Sequence, residues 1–188
     1  MTNYFALLGE TPRPWLDVDE VKARYHELSA REHPDADGAT ADFAEINRGF
    51  QELSDPATRV RHLLEVEGVA LARTQGVPED IARFFGPVAE VTHCVEVFLK
   101  KHAGVASPLG RALLSTEQYT VQERVEATLA GLVEKQDGLL ERLREIDAVW
   151  ETDRAGALGV LPGIWQSLGY TTKWIGSLRE WLFRLASL

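Results

Sequence analysis

Apolar residues near the start of the chain fall into short, evenly spaced groups. Tyr4, Phe5, Leu7 and Leu8 form an apolar turn or short helix that Gly9 stops, followed by a loop holding Pro12 and Pro14. Val18, Val21, Tyr25 and Leu28 then recur at i, i+3, i+7 and i+10, the spacing that places side chains on one face of a helix. Asp17 or Asp19 can cap this helix, predicted over Val18 to Glu32. Pro34 ends it, because the residue before a proline is pushed out of the α region. Phe43, Ile46, Phe50 and Leu53 repeat the same spacing. Two matching stripes of this kind zip into an antiparallel hairpin, with the turn signal Asp37-Gly38 in its solvent-held loop. Asp55-Pro56 supplies an N-cap and first-turn proline for a further helix carrying Val60, Leu63 and Leu64 and ending near Gly68.

A boundary is expected at residues 69–77, where Gly76 and Pro78 bracket a polar stretch. Beyond it the pattern predicts a helix from Pro78 that breaks at Gly86-Pro87 and resumes to about His102, then a short helix over Leu109 to Leu114. A long helix follows from about Val121 to Asp153, carrying Val125, Leu129, Leu132, Leu139, Leu143, Ile146 and Trp150, and a last one from Ile164 to Leu188. Ala155 to Thr172 is uncharged and long enough to span a bilayer. Its glycines, with Pro162, Gln166 and Ser167, make it too polar for that, so it reads as a loop entering a buried helix. Long helices with short connections imply an antiparallel bundle. The expected class is all-α: a helical hairpin with flanking helices in 1–68, a linker at 69–77, and an antiparallel three-helix bundle in 78–188.

Composition narrows the function more than the fold. The net charge is −9, and residues 1–68 hold 7 Lys/Arg against 14 Asp/Glu. No basic footprint for a phosphate backbone is present. The lone Cys94 rules out an internal disulfide or a multi-cysteine zinc site. His26, His33, His62, His93 and His102 show no metal-ligand spacing, and His93-Cys94 reads as a buried or half-buried pair. With no phosphate cradle or nucleophile elbow either, we expect no metal, no cofactor and no enzyme active site. Met1-Thr2-Asn3-Tyr4 lacks the basic flank and apolar core of a secretory signal, so a cytoplasmic location is the expectation. Trp150, Trp165, Trp174 and Trp181 lie close together towards the end of the chain, mainly as core. The last helix's apolar stripe (174/175, 178, 181/182, 185) is wider than one neighbour covers, which leaves room for a binding face or a dimer contact.

The tripeptide His33-Pro34-Asp35 sits in the hairpin loop. Together with its flanks it resembles the J-domain, by which DnaJ-type co-chaperones drive ATP hydrolysis in heat-shock-70-type chaperones. The HscB-like branch, which serves iron–sulfur cluster assembly, is the most similar. Asn3-Tyr4-Phe5-Ala6-Leu7-Leu8-Gly9, Ala44 to Leu53, Asp55-Pro56 and Arg59-Val60-Arg61-His62-Leu63-Leu64 carry the likeness, together with a helical bundle following directly. The Gly/Phe-rich linker and repeated Cys-x-x-Cys motifs of ordinary DnaJ proteins are not in the sequence.

The resemblance implies that His33, Pro34 and Asp35 dock on a nucleotide-bound chaperone, and that the basic residues Lys22, Arg24 and Arg31 form a second docking face. The chemistry suits that role. Asp35 can accept charge-assisted hydrogen bonds from an arginine, Pro34 lowers the entropy lost on docking, and His33 can donate or accept. Glu32 and Ala36 depart from the usual flanks, where an apolar or aromatic residue and a basic one are common. Asp17, Asp19, Glu20, Glu27 and Glu32 dilute the basic face. The bundle would bind a client, an iron–sulfur scaffold by implication. The alternative is a J-like interaction or scaffolding protein without productive chaperone activation.

Overall fold

The computed structural model describes residues 2–31, 40–71 and 76–188, and side chains there except those of 31 and 40–42. Every element of regular structure among them is helical: α1 (Tyr4–Leu7), α2 (Val18–Arg31), α3 (Thr40–Ser54), α4 (Pro56–Val66), α5 (Glu79–Ala103), α6 (Pro108–Leu113), α7 (Ser115–Ala148) and α8 (Arg154–Ala186). The all-α class is as expected. By packing, the chain divides into two compact units: residues 1–75 with 139–168, and 76–138 with 169–188. One division point, after residue 75, lies inside the expected linker. The others cut α7 and α8, so each of these helices contributes residues to both units.

In the first unit α3 packs against α1, α2 and α4. The core takes Phe5, Leu8, Leu16, Val21, Ile46, Leu53, Val60, Leu63 and Leu64 from the N-terminal helices and the segment between α1 and α2. Leu139, Leu143, Ile146 and Trp150 join from α7, and Ala157, Leu161, Ile164 and Leu168 from α8. Of the two candidate caps for α2, the structure uses Asp17, whose Oδ1 accepts the Asp19 N–H at 2.9 Å. Asp55 caps α4, accepting the Thr58 N–H at 2.9 Å, with Pro56 in the first turn. Gly9 and Gly68 follow α1 and α4 at φ +70 and +72, the left-handed region that glycine enters without a Cβ penalty.

Two predicted interruptions are corrected. Pro87 lies inside α5, which runs unbroken through Gly86. The segment expected as a loop before Ile164 is the first part of α8, with Pro162 inside it. An interior proline loses a hydrogen bond and costs about 3 kcal/mol. The burial of Ala157, Leu161, Ile164 and Leu168, each three or four residues from the next, outweighs it. The start of α8 is also well capped: Asp153 Oδ1 accepts the Gly156 N–H at 3.0 Å. Ser107 caps α6, accepting the Gly110 N–H at 3.0 Å, whereas α5 starts after Pro78 with no side-chain cap among the described residues.

The second unit packs Val88, Val91, Val95 and Phe98 of α5 against Val121, Val125 and Leu132 of α7 and Ile175, Leu178 and Leu185 of α8. Polar ties bind the same helices. Lys135 pairs with Asp80 and Arg124 with Glu90, and Gln118 Nε2 donates to the Leu185 carbonyl at 2.7 Å. Trp150 is core, as expected, whereas Trp165, Trp174 and Trp181 are half-buried. His93 and Cys94 do not form a buried pair: His93 is exposed and Cys94 half-buried, because adjacent helical positions point in different directions. No helix among the described residues is long and apolar enough to cross a membrane.

Candidate docking surfaces

The hairpin that brackets His33, Pro34 and Asp35 is held together mainly by one cross-helix cluster. Tyr25 on α2 stacks on Phe50 of α3, ring centroids 4.4 Å apart. Its hydroxyl donates to Asn47 Oδ1 at 2.6 Å, and Asn47 Nδ2 donates in turn to the Phe43 carbonyl at 3.0 Å. Val21 and Ile46 lie buried beside this cluster in the same core. The tyrosine therefore supplies both an apolar face and a fixed polar tie between the helices. Tyr25→Phe keeps the ring and removes the tie. We expect a loss of about 1 kcal/mol, read as a lower midpoint in urea unfolding; an unchanged midpoint would show that the bond contributes nothing.

Lys22 and Arg24 stand exposed on α2, alongside His26. Asp19, Glu20 and Glu27 are exposed on the same helix, with Asp19 and Glu20 in its first turn, where the helix dipole favours acids. Positive charge on this helix is thus interspersed with negative charge. Arg31 closes α2 in its backbone. The Arg31 side chain and the residues His33, Pro34 and Asp35 lie outside the described residues.

Behind the hairpin sit two buried ionisable side chains that periodicity alone does not flag. Arg59 is 0% exposed; its Nη1 donates to the Leu53 carbonyl at the end of α3 at 2.9 Å, and its guanidinium lies 5.7 Å from the Trp15 ring centroid. Burial pushes its pKa down to about 10, partly offset by Asp55 and Asp147. His62 is 1% exposed and receives the Tyr4 N–H on Nε2 at 3.0 Å. Burial holds its pKa below the ordinary imidazole value, against the pull of Glu52 and Glu65.

A second surface lies in the other unit. Phe85 of α5 meets Trp174 of α8 edge-on, centroids 4.8 Å apart, and Tyr170 lies 5.5 Å from Phe85 and 5.4 Å from Trp174. Phe85 is 42% exposed, so this aromatic group is open to solvent on one side. Among the described residues no group of three or more His, Cys, Asp or Glu is placed to hold a metal ion.

Helix order and packing define an all-α fold shared with a known co-chaperone. The chaperone HscB from Vibrio cholerae superposes with a TM-score of 0.63 at 18% identity, over 98% of this chain and 99% of that one. In sequence, the chain resembles HscB-like J-domain co-chaperones. A co-chaperone protein HscB homolog of Pseudoalteromonas atlantica is 33% identical over 87 residues, 42% of this chain and 50% of the relative. The chaperone protein DnaJ of Synechococcus is 41% identical over 63 residues, 32% of this chain and 16% of that protein. The chain's match thus spans about half the length of the curated HscB relative. No protein-family model matches.

Proposed function

We propose that this protein is a cytoplasmic J-domain co-chaperone that stimulates ATP hydrolysis by a heat-shock-70-type chaperone and hands it a client. The observation that carries the reading is the paired α2–α3 hairpin, whose connecting residues include His33-Pro34-Asp35. The J-like segment 1–68 docks the chaperone through that tripeptide, with Lys22, Arg24 and Arg31 as the electrostatic contribution. None of these groups makes or breaks a bond; they bias a conformational equilibrium in the partner that hydrolyses ATP. Residues 78–188 hold the client, and the similarity to HscB proteins favours an iron–sulfur cluster assembly scaffold.

The test is single-turnover ATP hydrolysis by the cognate chaperone with and without the full chain. A faster rate with the chain supports the reading, and equal rates overturn it. For the client surface, Trp174→Ala is expected to weaken binding of the purified scaffold by tenfold or more, roughly the effect of losing an aromatic anchor, while chaperone stimulation by the chain alone stays unchanged. Unaltered scaffold titration would place the client elsewhere.

A second reading, an interaction protein with a J-like fold that does not activate a chaperone, is favoured by one observation. Exposed Asp19, Glu20 and Glu27 interrupt the basic face of α2, which weakens steering towards an acidic partner groove. Stable scaffold binding with no change in the chaperone's hydrolysis rate would select it.

A further inference from the structure

The N-terminal helix is fastened by a titratable ring. Tyr4, the first residue of α1, donates its backbone N–H to His62 Nε2 at 3.0 Å. An N–H donor can be received there only by an unprotonated nitrogen, so the ring is neutral, with its proton on Nδ1 facing Glu65 Oε2 at 3.8 Å. The imidazole stacks on Phe5, centroids 5.5 Å apart at 12°, and lies 4.9 Å from the Tyr4 ring. Phe5 and Leu8, the residues that α1 and its end bury, are 0% and 1% exposed.

We propose that His62 is a proton-sensitive latch: neutral, it holds α1 against α3 and α4, and protonated, it releases the helix. The imidazolium has no lone pair for the Tyr4 N–H, so the bond that fastens the first residue of α1 cannot form. The titratable and charged side chains that face the ring are Tyr4 from α1, Glu52 from α3, and Arg61 and Glu65 from α4. Glu52 and Glu65 favour the imidazolium and Arg61 opposes it, while Arg61 is itself ion-paired to Glu52. Burial outweighs these charges and keeps the neutral ring the preferred form of the docked state.

The direction follows from linkage. The folded-state pKa lies below the unfolded one, so below about pH 6.5 the unlatched form takes up a proton that the latched form resists. The latch is fully closed above that value and weakens as pH falls through the window beneath it. Among the described residues the α2–α3 hairpin is tied through Tyr25, Asn47 and Phe50, none of which touches the Tyr4–His62 bond. The inference holds whether or not a chaperone is the partner.

The experiment is an NMR titration of the full chain from about pH 7.5 to 5. It follows the His62 ring signal, the Tyr4, Phe5 and Leu8 amides, and their hydrogen exchange corrected for its intrinsic pH dependence. The proposal expects the α1 amides to shift with the His62 midpoint and to lose protection as pH falls through it. It also expects the response to vanish in His62→Gln, whose amide oxygen can take the Tyr4 N–H without titrating, and to persist in His26→Gln. Silent α1 amides during His62 titration, or a response that survives His62→Gln, would overturn it. If His62→Gln does not fold, co-titration in the unaltered chain decides alone.

Discussion

Replacing Asp35 by asparagine is expected to return the chaperone's single-turnover ATP hydrolysis to its rate without the co-chaperone. The substitution keeps the size and planarity of the side chain and removes its charge. A carboxylate offers two oxygens to an arginine fork, whereas an amide offers one oxygen and presents an N–H pair to other donors. A hydrogen bond to a charged group is worth about 1.5–3 kcal/mol, so docking should weaken roughly 10- to 150-fold. The fold has no reason to change. Among the described residues the hairpin rests on Val21, Tyr25, Ile46, Phe50 and Leu53. Far-UV circular dichroism and the urea midpoint should therefore match the unaltered chain while the ATPase readout falls. If Asp35→Asn stimulates hydrolysis as well as the parent does, the tripeptide is not the docking element.

How far the fold could be read from sequence depended on whether a helix was decided locally. The stripes of α2 and α3, the Asp55-Pro56 start of α4 and the stop at Gly68 are written in nearest neighbours, and the structure follows them except at Val18, which is 41% exposed at the start of α2. At Pro87 and Pro162 the local signal says stop and the helix continues. There the decision belongs to side chains remote in sequence. Ala157, Leu161, Ile164 and Leu168 are buried in a core built largely from residues 5–64, and a periodicity reading cannot weigh that partner. Whether His33, Pro34, Asp35 and Arg31 gather into one site lies outside the described residues, while Lys22 and Arg24 are exposed on α2.

Buried ionisable groups were the other illegible class. Arg59 and His62 stand in a stretch that carries the family likeness, and their charges suggest surface. Their burial comes from Leu53, Trp15, Tyr4 and Phe5, which supply a carbonyl, an aromatic face, an N–H and a stacking ring. His62 Nε2 is satisfied by the N–H that arrives with it, whereas Arg59 is held through Nη1 while its Nε and Nη2 have no hydrogen-bond partner among the described residues. No spacing rule for apolar residues anticipates that.

The dependence of the N-terminal helices on the end of α7 makes a stability prediction of its own. Trp150 is 1% exposed and heads the largest fully buried side chains. Its Nε1 donates to the Pro12 carbonyl at 3.0 Å, and Arg154 covers its ring at 4.7 Å while clasping Glu67 through Nε at 3.0 Å and Nη2 at 2.5 Å. Close by, Asp147 pairs with Arg13 and accepts the Trp15 N–H at 3.2 Å. Trp150→Ala should cost about 3–5 kcal/mol, from lost burial and the cavity left behind, a large share of the roughly 5–15 kcal/mol that holds a domain folded. Trp150→Phe keeps most of the volume and forfeits the N–H, so its cost should fall nearer 1 kcal/mol. Urea unfolding followed by circular dichroism measures both, and hydrogen exchange locates the loss. Protection should fall in α1 and α4 as well as around residue 150, because Trp150 shares one core with Phe5, Leu63 and Leu64. A midpoint that barely moves in Trp150→Ala, or a loss of protection confined to α7 and α8, would mean that residues 1–68 hold their fold without residues 139–168.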